Sequence, residues 1–387
     1  WPSSDGEHVA VRSLFWALVF VLELGVCLVL SIAGRSFFEI HGMPAREIRI
    51  GPSSAHPRLA FACEMDTPEL QALFANPEVT ADLRRLGARV SLSLTDLSSG
   101  RAEVVRHLNA AGIAVTAWMS LPKEQGYYLN SGNASEALVR FGDFQRWTAA
   151  YGLHWSGVGL DIEPNLRDFG SVSEAGASIL RRLFHPGLVG RARASYASLV
   201  SQIHGAGYTV ETYQFPFLAD QREAHSDLLE RLFGIVDVRG DQEVLMLYSS
   251  FNHPADSAIV WQYGPSAQLI AVGSTAGDTT AGSKFVPLSF EELSRDLIVA
   301  GHFAPVVGIY NLEGCVSRGF LPRLAGFDWN QTVIISTEAD SRVIRLRARV
   351  QSTLWALGQL PYFAAVMFAM DLWLSRWRRA GQPRLAR

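Results

Sequence analysis

Between residues 58 and 329 the chain alternates between two patterns. Short runs that are apolar, or that switch between apolar and polar at every residue, predict strands; longer stretches with apolar positions three and four apart predict helices. The strand runs fall at 58–66 (RLAFACEMD), 89–97 (RVSLSLTDL), 113–122 (IAVTAWMSLP), 155–164 (WSGVGLDIEP), 208–217 (YTVETYQFPF), 243–251 (EVLMLYSSF), 268–275 (QLIAVGST) and 306–314 (VVGIYNLEG). Helical spacing occupies 67–87, 100–112, 134–152, 173–207, 220–234 and 289–303, and most weakly 255–264. Several helical stretches end in glycine just before the next strand, the expected stop signal. Eight strands alternating with helices predict an α/β fold of the (β/α)8 TIM-barrel type, whose usual size is about 250 residues. A doubly wound open sheet is the runner-up, but the first strand ends in CEMD and not in a glycine-rich phosphate loop.

Two long apolar runs flank this region. Residues 13–34 carry one charge, Glu23, and residues 350–374 run from VQSTLWALGQLPYFAAVMFAM through Asp371 to LWL. About 20 apolar residues span a bilayer as a helix. A central Glu costs about 3 kcal/mol, which the surrounding Leu, Val and Phe offset. Pro361 is tolerable in a membrane helix. The first run is long for a signal peptide and lacks a small-residue cleavage motif. The predicted organisation is an N-terminal flank (1–12), a transmembrane helix (13–34), a linker (35–57), the barrel (58–335), a second linker (336–349), a second transmembrane helix (350–374) and an Arg-rich tail (375–387). That tail holds five arginines and no acid, which the positive-inside rule places in the cytoplasm, leaving the barrel on the extracytoplasmic side, in the periplasm or at the cell surface. Arg342, Arg345, Arg347 and Arg349 on the other flank weigh against that orientation. A chain that begins with Trp1 is expected to continue upstream.

Composition narrows the classes. Of the 387 residues 48% are hydrophobic and 18% charged, which excludes a disordered or collagen-like chain. A net charge of −3 provides no basic field for nucleic acid. The histidines show no ligand spacing, so no metal is expected, and no cofactor motif is present. Three cysteines are too few for a disulfide scaffold. Cys63 and Cys315 fall on or beside neighbouring strands of a closed barrel and are read as a disulfide or as two buried thiols; Cys27 falls in the first apolar run. Asn133 and Asn330 begin N-x-S/T acceptor motifs, relevant only in a eukaryotic secretory host.

In a barrel of this type the chemistry sits at the C-terminal ends of the strands. The fourth strand ends GVGLDIEP. Alternation puts Gly159, Asp161 and Glu163 on one face and Leu160 and Ile162 on the other, so both carboxyls are expected in the lumen. Acids two residues apart repel, and one keeps its proton to higher pH, as a general acid requires. The same reasoning places Met246 and Tyr248 together on the sixth strand, Glu211 and Tyr213 on the fifth, Asn311 and Glu313 on the eighth, and Ser91, Ser93 and Thr95 on the second. Glu64 and Asp66 end the first. Trp118, Tyr127, Tyr128 and Trp261 are aromatic candidates for stacking on sugar faces. The expected substrate-binding set is Glu64, Asp66, Trp118, Glu211, Tyr213, Met246, Asn311 and Glu313.

GLDIEP on the fourth strand and M-L-Y on the sixth resemble the family 18 glycoside hydrolases, the chitinases and endo-β-N-acetylglucosaminidases. That family carries D-x-x-D-x-D-x-E and M-x-Y-D at these places. The resemblance implies Glu163 as acid/base, Asp161 orienting the substrate acetamido group, and Tyr248 hydrogen-bonding its carbonyl, with the substrate's own N-acetyl oxygen as nucleophile. Ser156 and Gly159 stand at the earlier Asp positions, Ser249 follows Tyr248, and the S-x-G-G of the third strand is absent from VTAWMSLP. A two-carboxylate mechanism would need a partner among Glu64, Glu211 and Glu313, because the seventh strand offers none. The expectation is a membrane-anchored glycosidase acting on a carbohydrate polymer or oligosaccharide. The alternatives are a non-catalytic carbohydrate-binding barrel in polysaccharide assembly or export, and a scaffold within a membrane complex.

Overall fold

A computed structural model describes residues 24–35 except 27, 47–52, 56–164, 179–251 except 180, 183, 184 and 186, 257–276 and 286–380. Eight parallel strands close into a barrel in chain order: β2 (Arg58–Cys63), β3 (Arg89–Ser93), β4 (Val115–Met119), β5 (Gly157–Asp161), β6 (Val210–Gln214), β7 (Gln242–Met246), β8 (Leu269–Gly273) and β9 (Val306–Tyr310), with β9 returning to β2. All eight strands predicted from alternation are present, so the (β/α)8 barrel is the fold.

Among the described residues the helices between them follow the expected pattern, with differences that have local causes; of the helix expected over 173–207, residues 173–178 lie outside the described residues. The single helix expected over 67–87 is two, α1 (Thr67–Ala75) and α2 (Pro77–Arg85). Pro77 cannot continue α1 and instead starts α2, whose N-cap Asn76 accepts a hydrogen bond from the Glu78 N–H. Next come α3 (Ser99–Ala110), α4 (Ala134–Tyr151), α5 (Gly187–Gly205), α6 (Phe217–Glu223), α7 (Leu228–Phe233), α8 (Ala258–Tyr263) and α9 (Phe290–Ala300). Gly112 after α3 and Gly152 after α4 take φ of +74° and +61°, the left-handed stop that other residues adopt at a cost. Ser289 and Glu292 form a reciprocal capping box at the start of α9. Within the weakly patterned 255–264 segment, Ala258–Tyr263 forms α8, and residues 255 and 256 lie outside the described residues.

Outward-facing strand residues such as Phe61, Leu92, Leu160, Leu245 and Ile309 are fully buried against the helices. Within the lumen a smaller apolar layer of Ala60, Val244, Leu269, Ala271 and Val306 packs under Tyr213 and Tyr248. Strand β1 (Ile48–Ile50) pairs antiparallel with β10 (Val333–Ile335), where the sequence predicted a linker at 35–57. Three-residue strands are too short for alternation to register.

The chain divides into two compact units, one formed by 45–219 with 229–344, the other by 1–44, 220–228 and 345–387. The first contains the barrel. In the second, the buried carboxylate of Asp220 accepts from Arg347 Nε at 3.0 Å and Gln351 Nε2 at 2.9 Å. The helix expected over 350–374 is divided between α12 (Thr337–Gly358) and α13 (Leu360–Ala380), with a bend of 51° between 337–358 and 362–370. Pro361 lacks the N–H that would continue the ladder, and the Gln359 carbonyl instead accepts from Tyr362 and Phe363. Among the described residues no single helix is long and apolar enough to cross a membrane; the bent pair passes by length and composition together, and Leu24–Arg35 is a shorter apolar helix. Most of the first apolar run, including Glu23 and Cys27, lies outside the described residues.

Candidate active site

The C-terminal end of the barrel opens into a cavity of about 430 Å³ whose walls include Glu64, Trp118, Asp161, Glu163, Glu211, Tyr213, Met246 and Tyr248. Eight of the eleven residues expected from the strand ends therefore meet in one space.

Asp161 is the last residue of β5 and is 3% exposed. Its carboxyl lies beside the Trp118 indole, and its Oδ1 is buried without a hydrogen-bond partner. Burial pushes its pKa well above the usual carboxylate range, and the charges of Glu163 and Glu64 push it further. Glu163 follows two residues later and is half-buried at the mouth. Its backbone N–H donates to the Leu129 carbonyl at 3.0 Å, and Ile162 bridges to Leu129, so the loop after β4 fixes the segment carrying both acids. That loop is itself pinned: Asn133 Nδ2 donates to the carbonyls of Tyr128 (2.8 Å) and Gln125 (3.1 Å), and Tyr196 OH donates to Asn130 O at 2.9 Å. Asn133 is 4% exposed with both amide hydrogens committed, which rules it out as a glycosylation acceptor.

Glu64, just past β2, accepts three phenol hydrogen bonds: from Tyr127 at 2.5 Å, Tyr310 at 2.7 Å and Tyr128 at 3.4 Å. Tyr127 reaches it from a backbone at φ +63°, an uncommon conformation for a bulky residue. Tyr248 stacks on Tyr310 with ring centres 5.6 Å apart. Burial, with the charges of Asp161, Glu163 and Glu64, raises the Tyr248 pKa well above its ordinary value, so its hydroxyl stays a hydrogen-bond donor at neutral pH.

Below the acids, Glu211 pairs with Arg89 across the lumen. Tyr213 OH lies 2.6 Å from Ser91 Oγ and donates to Glu211 at 3.3 Å. The Tyr213 ring fills the position next to Gly159, where a Cβ would come within 2.6 Å of Tyr213 Cε2. An aspartate at 159, as the resemblance to family 18 leads one to expect, has no room here. Ser249, where the sixth-strand motif of that family has its Asp, is buried and donates to Asp296 on α9.

Three expected residues fall outside the cavity. Asp66 is exposed and occupies the N-cap position of α1. Asn311 and Glu313 do not share a strand face, because β9 ends at Tyr310. Asn311 caps α10 (Leu312–Ser317), accepting from Gly314 N–H at 3.0 Å, and Glu313 lies in its first turn. Burial pushes the Glu313 carboxyl up to about 7, while Glu313 accepts from the Glu64 backbone N–H at 3.3 Å. On β9 the residues facing the lumen are Val306, Gly308 and Tyr310. Tyr310 and Arg89 were missed; the outward Val307 and Ile309 were the signal for the first. Cys63 and Cys315 are both free and buried, which settles the earlier choice in favour of thiols. Trp261 packs on Phe303 at 5.3 Å and not at the mouth.

Fold and site together define a (β/α)8 barrel with a cluster of carboxyl and phenol groups around one cavity at its C-terminal end. No protein-family model matches the chain, and no curated protein does. Among solved structures, the chain is similar to the PgaB (BpsB) glycoside hydrolase domain from Bordetella bronchiseptica, with 13% identity, 70% of this chain and 98% of that one covered, and a TM-score of 0.42. It is also similar to the C-terminal domain of a putative chitinase from Desulfitobacterium hafniense DCB-2 (14%, 70% and 99%, 0.42). A third is the 3-keto-D-glucoside 4-epimerase YcjR from E. coli (14%, 70% and 100%, 0.43). At such scores these likenesses carry no weight for the chemistry, which rests on the cavity residues themselves.

Proposed function

We propose that the protein is a glycoside hydrolase in which Glu163 is the acid/base and Asp161 and Tyr248 position the substrate. The observation that carries this reading is the convergence of Asp161, Glu163 and Tyr248, from two separate strands, on one cavity at the end of the barrel where such folds place their chemistry. Glu163 at the mouth donates its proton to the glycosidic oxygen as the bond from that oxygen to the anomeric carbon breaks. With an N-acetylhexosamine bound, the acetamido oxygen attacks the same carbon from the opposite face. Tyr248 donates to that oxygen and Asp161 holds the amide nitrogen, which brings the nucleophile into line. Water then attacks the anomeric carbon, giving its proton to the Glu163 carboxylate and releasing the acetamido group, with net retention.

The reading includes a membrane anchor, with the barrel on the extracytoplasmic side. It is supported by exposed apolar residues on α13, among them Tyr362, Val366, Phe368 and Trp373, and by Val29 and Leu30 on the first apolar helix. Isolated exposed apolar side chains are ordinary, but two apolar runs of such length are not.

Digestion of a panel of defined oligosaccharides by wild type and Glu163→Gln tests the proposal. Cleavage of at least one glycan by wild type, slowed 100-fold or more in the variant, is expected. Binding without cleavage by wild type would leave a carbohydrate-binding barrel.

A further inference from the structure

At the opposite end of the barrel the strand N-termini surround a second cavity, of about 580 Å³. Its walls include three guanidinium groups, from Arg58 at the start of β2, Arg89 at the start of β3 and Arg84 in the last turn of α2, together with Ser156 and Gln242. Among the described residues no aspartate or glutamate lines it. We propose that this cavity is a binding site for a phosphate group, held by Arg58 and Arg84.

The charge at the cavity decides the ligand's sign. Arg89 is neutralised by Glu211 on its lumenal side. Arg85, the neighbour of Arg84, is tied to Asp82 at 2.8 Å, which uses the local carboxylate. Arg58 and Arg84 make no side-chain hydrogen bond or ion pair among the described residues, so two unit positive charges face the space. Against them stand the carbonyl ends of α2 and α3, worth about half a negative charge each. The sum is about one positive charge in a concave site, where field lines concentrate. Guanidinium forks match phosphate oxygens in shape as well as sign. Arg89 lines both cavities, so a ligand here lies one ion pair below Glu211 and Tyr213.

The phosphate can belong to a soluble compound or to a lipid headgroup, and one experiment separates the two. Pyrophosphate is titrated calorimetrically into the full chain at low salt, and association with phosphatidylglycerol vesicles is measured against phosphatidylcholine vesicles. Both are repeated for Arg58→Ser/Arg84→Ser and for Arg85→Ser. Pyrophosphate binding weakened tenfold or more in the double variant, and unchanged in Arg85→Ser, supports the site with a soluble phosphate. No pyrophosphate binding, but a preference for phosphatidylglycerol that falls at least tenfold in the double variant alone, supports it with a headgroup. Absence of both effects, or an equal loss in Arg85→Ser, overturns the site. Circular dichroism of each variant, which removes only exposed side chains, verifies that the barrel is intact.

Discussion

Replacing Gly159 tests the account of the cavity floor. A Cβ at this position would lie 2.6 Å from Tyr213 Cε2 and 3.0 Å from its hydroxyl oxygen. Tyr213 cannot yield freely, because its hydroxyl is shared with Ser91 and Glu211 and its ring packs beside Trp118, with centres 6.0 Å apart. Overpacking of a filled site costs about 1–3 kcal/mol. Displacing the ring adds about 1 kcal/mol for each hydrogen bond lost. Gly159→Ala should therefore lower stability by about 2–5 kcal/mol, depending on whether one or both bonds break, in urea unfolding monitored by fluorescence and circular dichroism, with Gly159→Asp worse. In a Tyr213→Ala background the collision partner is gone, and Gly159→Ala should then cost under about 0.5 kcal/mol, so that the two sites couple strongly in a double-mutant cycle. A cost for Gly159→Ala alone of less than about 0.5 kcal/mol, or equal costs in both backgrounds, would refute the close fit.

Glu313 should make stability depend on pH. Its carboxyl is raised from 4.5 to about 7 in the folded chain, so between these values the folded state binds more protons than the unfolded one and stability falls as pH rises. Glu313→Gln should flatten this slope and stabilise the protein at pH 8 by about 1–3 kcal/mol in denaturant titrations. An unchanged slope would contradict the assignment. Arg89→Met should cost about 2–4 kcal/mol because it strands the Glu211 carboxylate, 6% exposed, and Arg89→Met/Glu211→Gln should recover part of that loss in the same assay. Cys63 and Cys315 are both 0% exposed; in a Cys27→Ser background neither should react with a thiol reagent until the chain unfolds, and rapid labelling of the native protein would contradict their burial.

The barrel was legible because its strands carry a two-residue period and its helices a 3.6-residue one, punctuated by glycines such as Gly112 and Gly152. Parity placed Asp161, Glu211, Tyr213 and Met246 in the lumen correctly because apolar neighbours marked the outward face of each strand. On β9 the outward pair Val307 and Ile309 carried the same signal, but the polar Asn311 and Glu313 were followed past the point where the strand ends. Asn311 is a helix cap, and the lumenal residue is Tyr310. The tyrosines holding Glu64 were not legible as a group, since they come from separate segments and meet only on folding. The Arg89–Glu211 pair joins residues far apart in sequence, and nothing local announces it. Pro361 and Asn76-Pro77 carry the signal for the helix breaks found there, but Pro361 reads as tolerable within one helix and Pro77 is passed over, because the spacing of apolar residues argues for continuous runs.

Proton NMR of products during cleavage of a β-linked N-acetylglucosamine oligosaccharide reads out whether Glu163 delivers a proton to the glycosidic oxygen inside this cavity. Wild type should release the β-anomer first, with mutarotation following, and Glu163→Gln should release product at least 100-fold more slowly. Release of the α-anomer first, or product formation by Glu163→Gln at the wild-type rate, would contradict it.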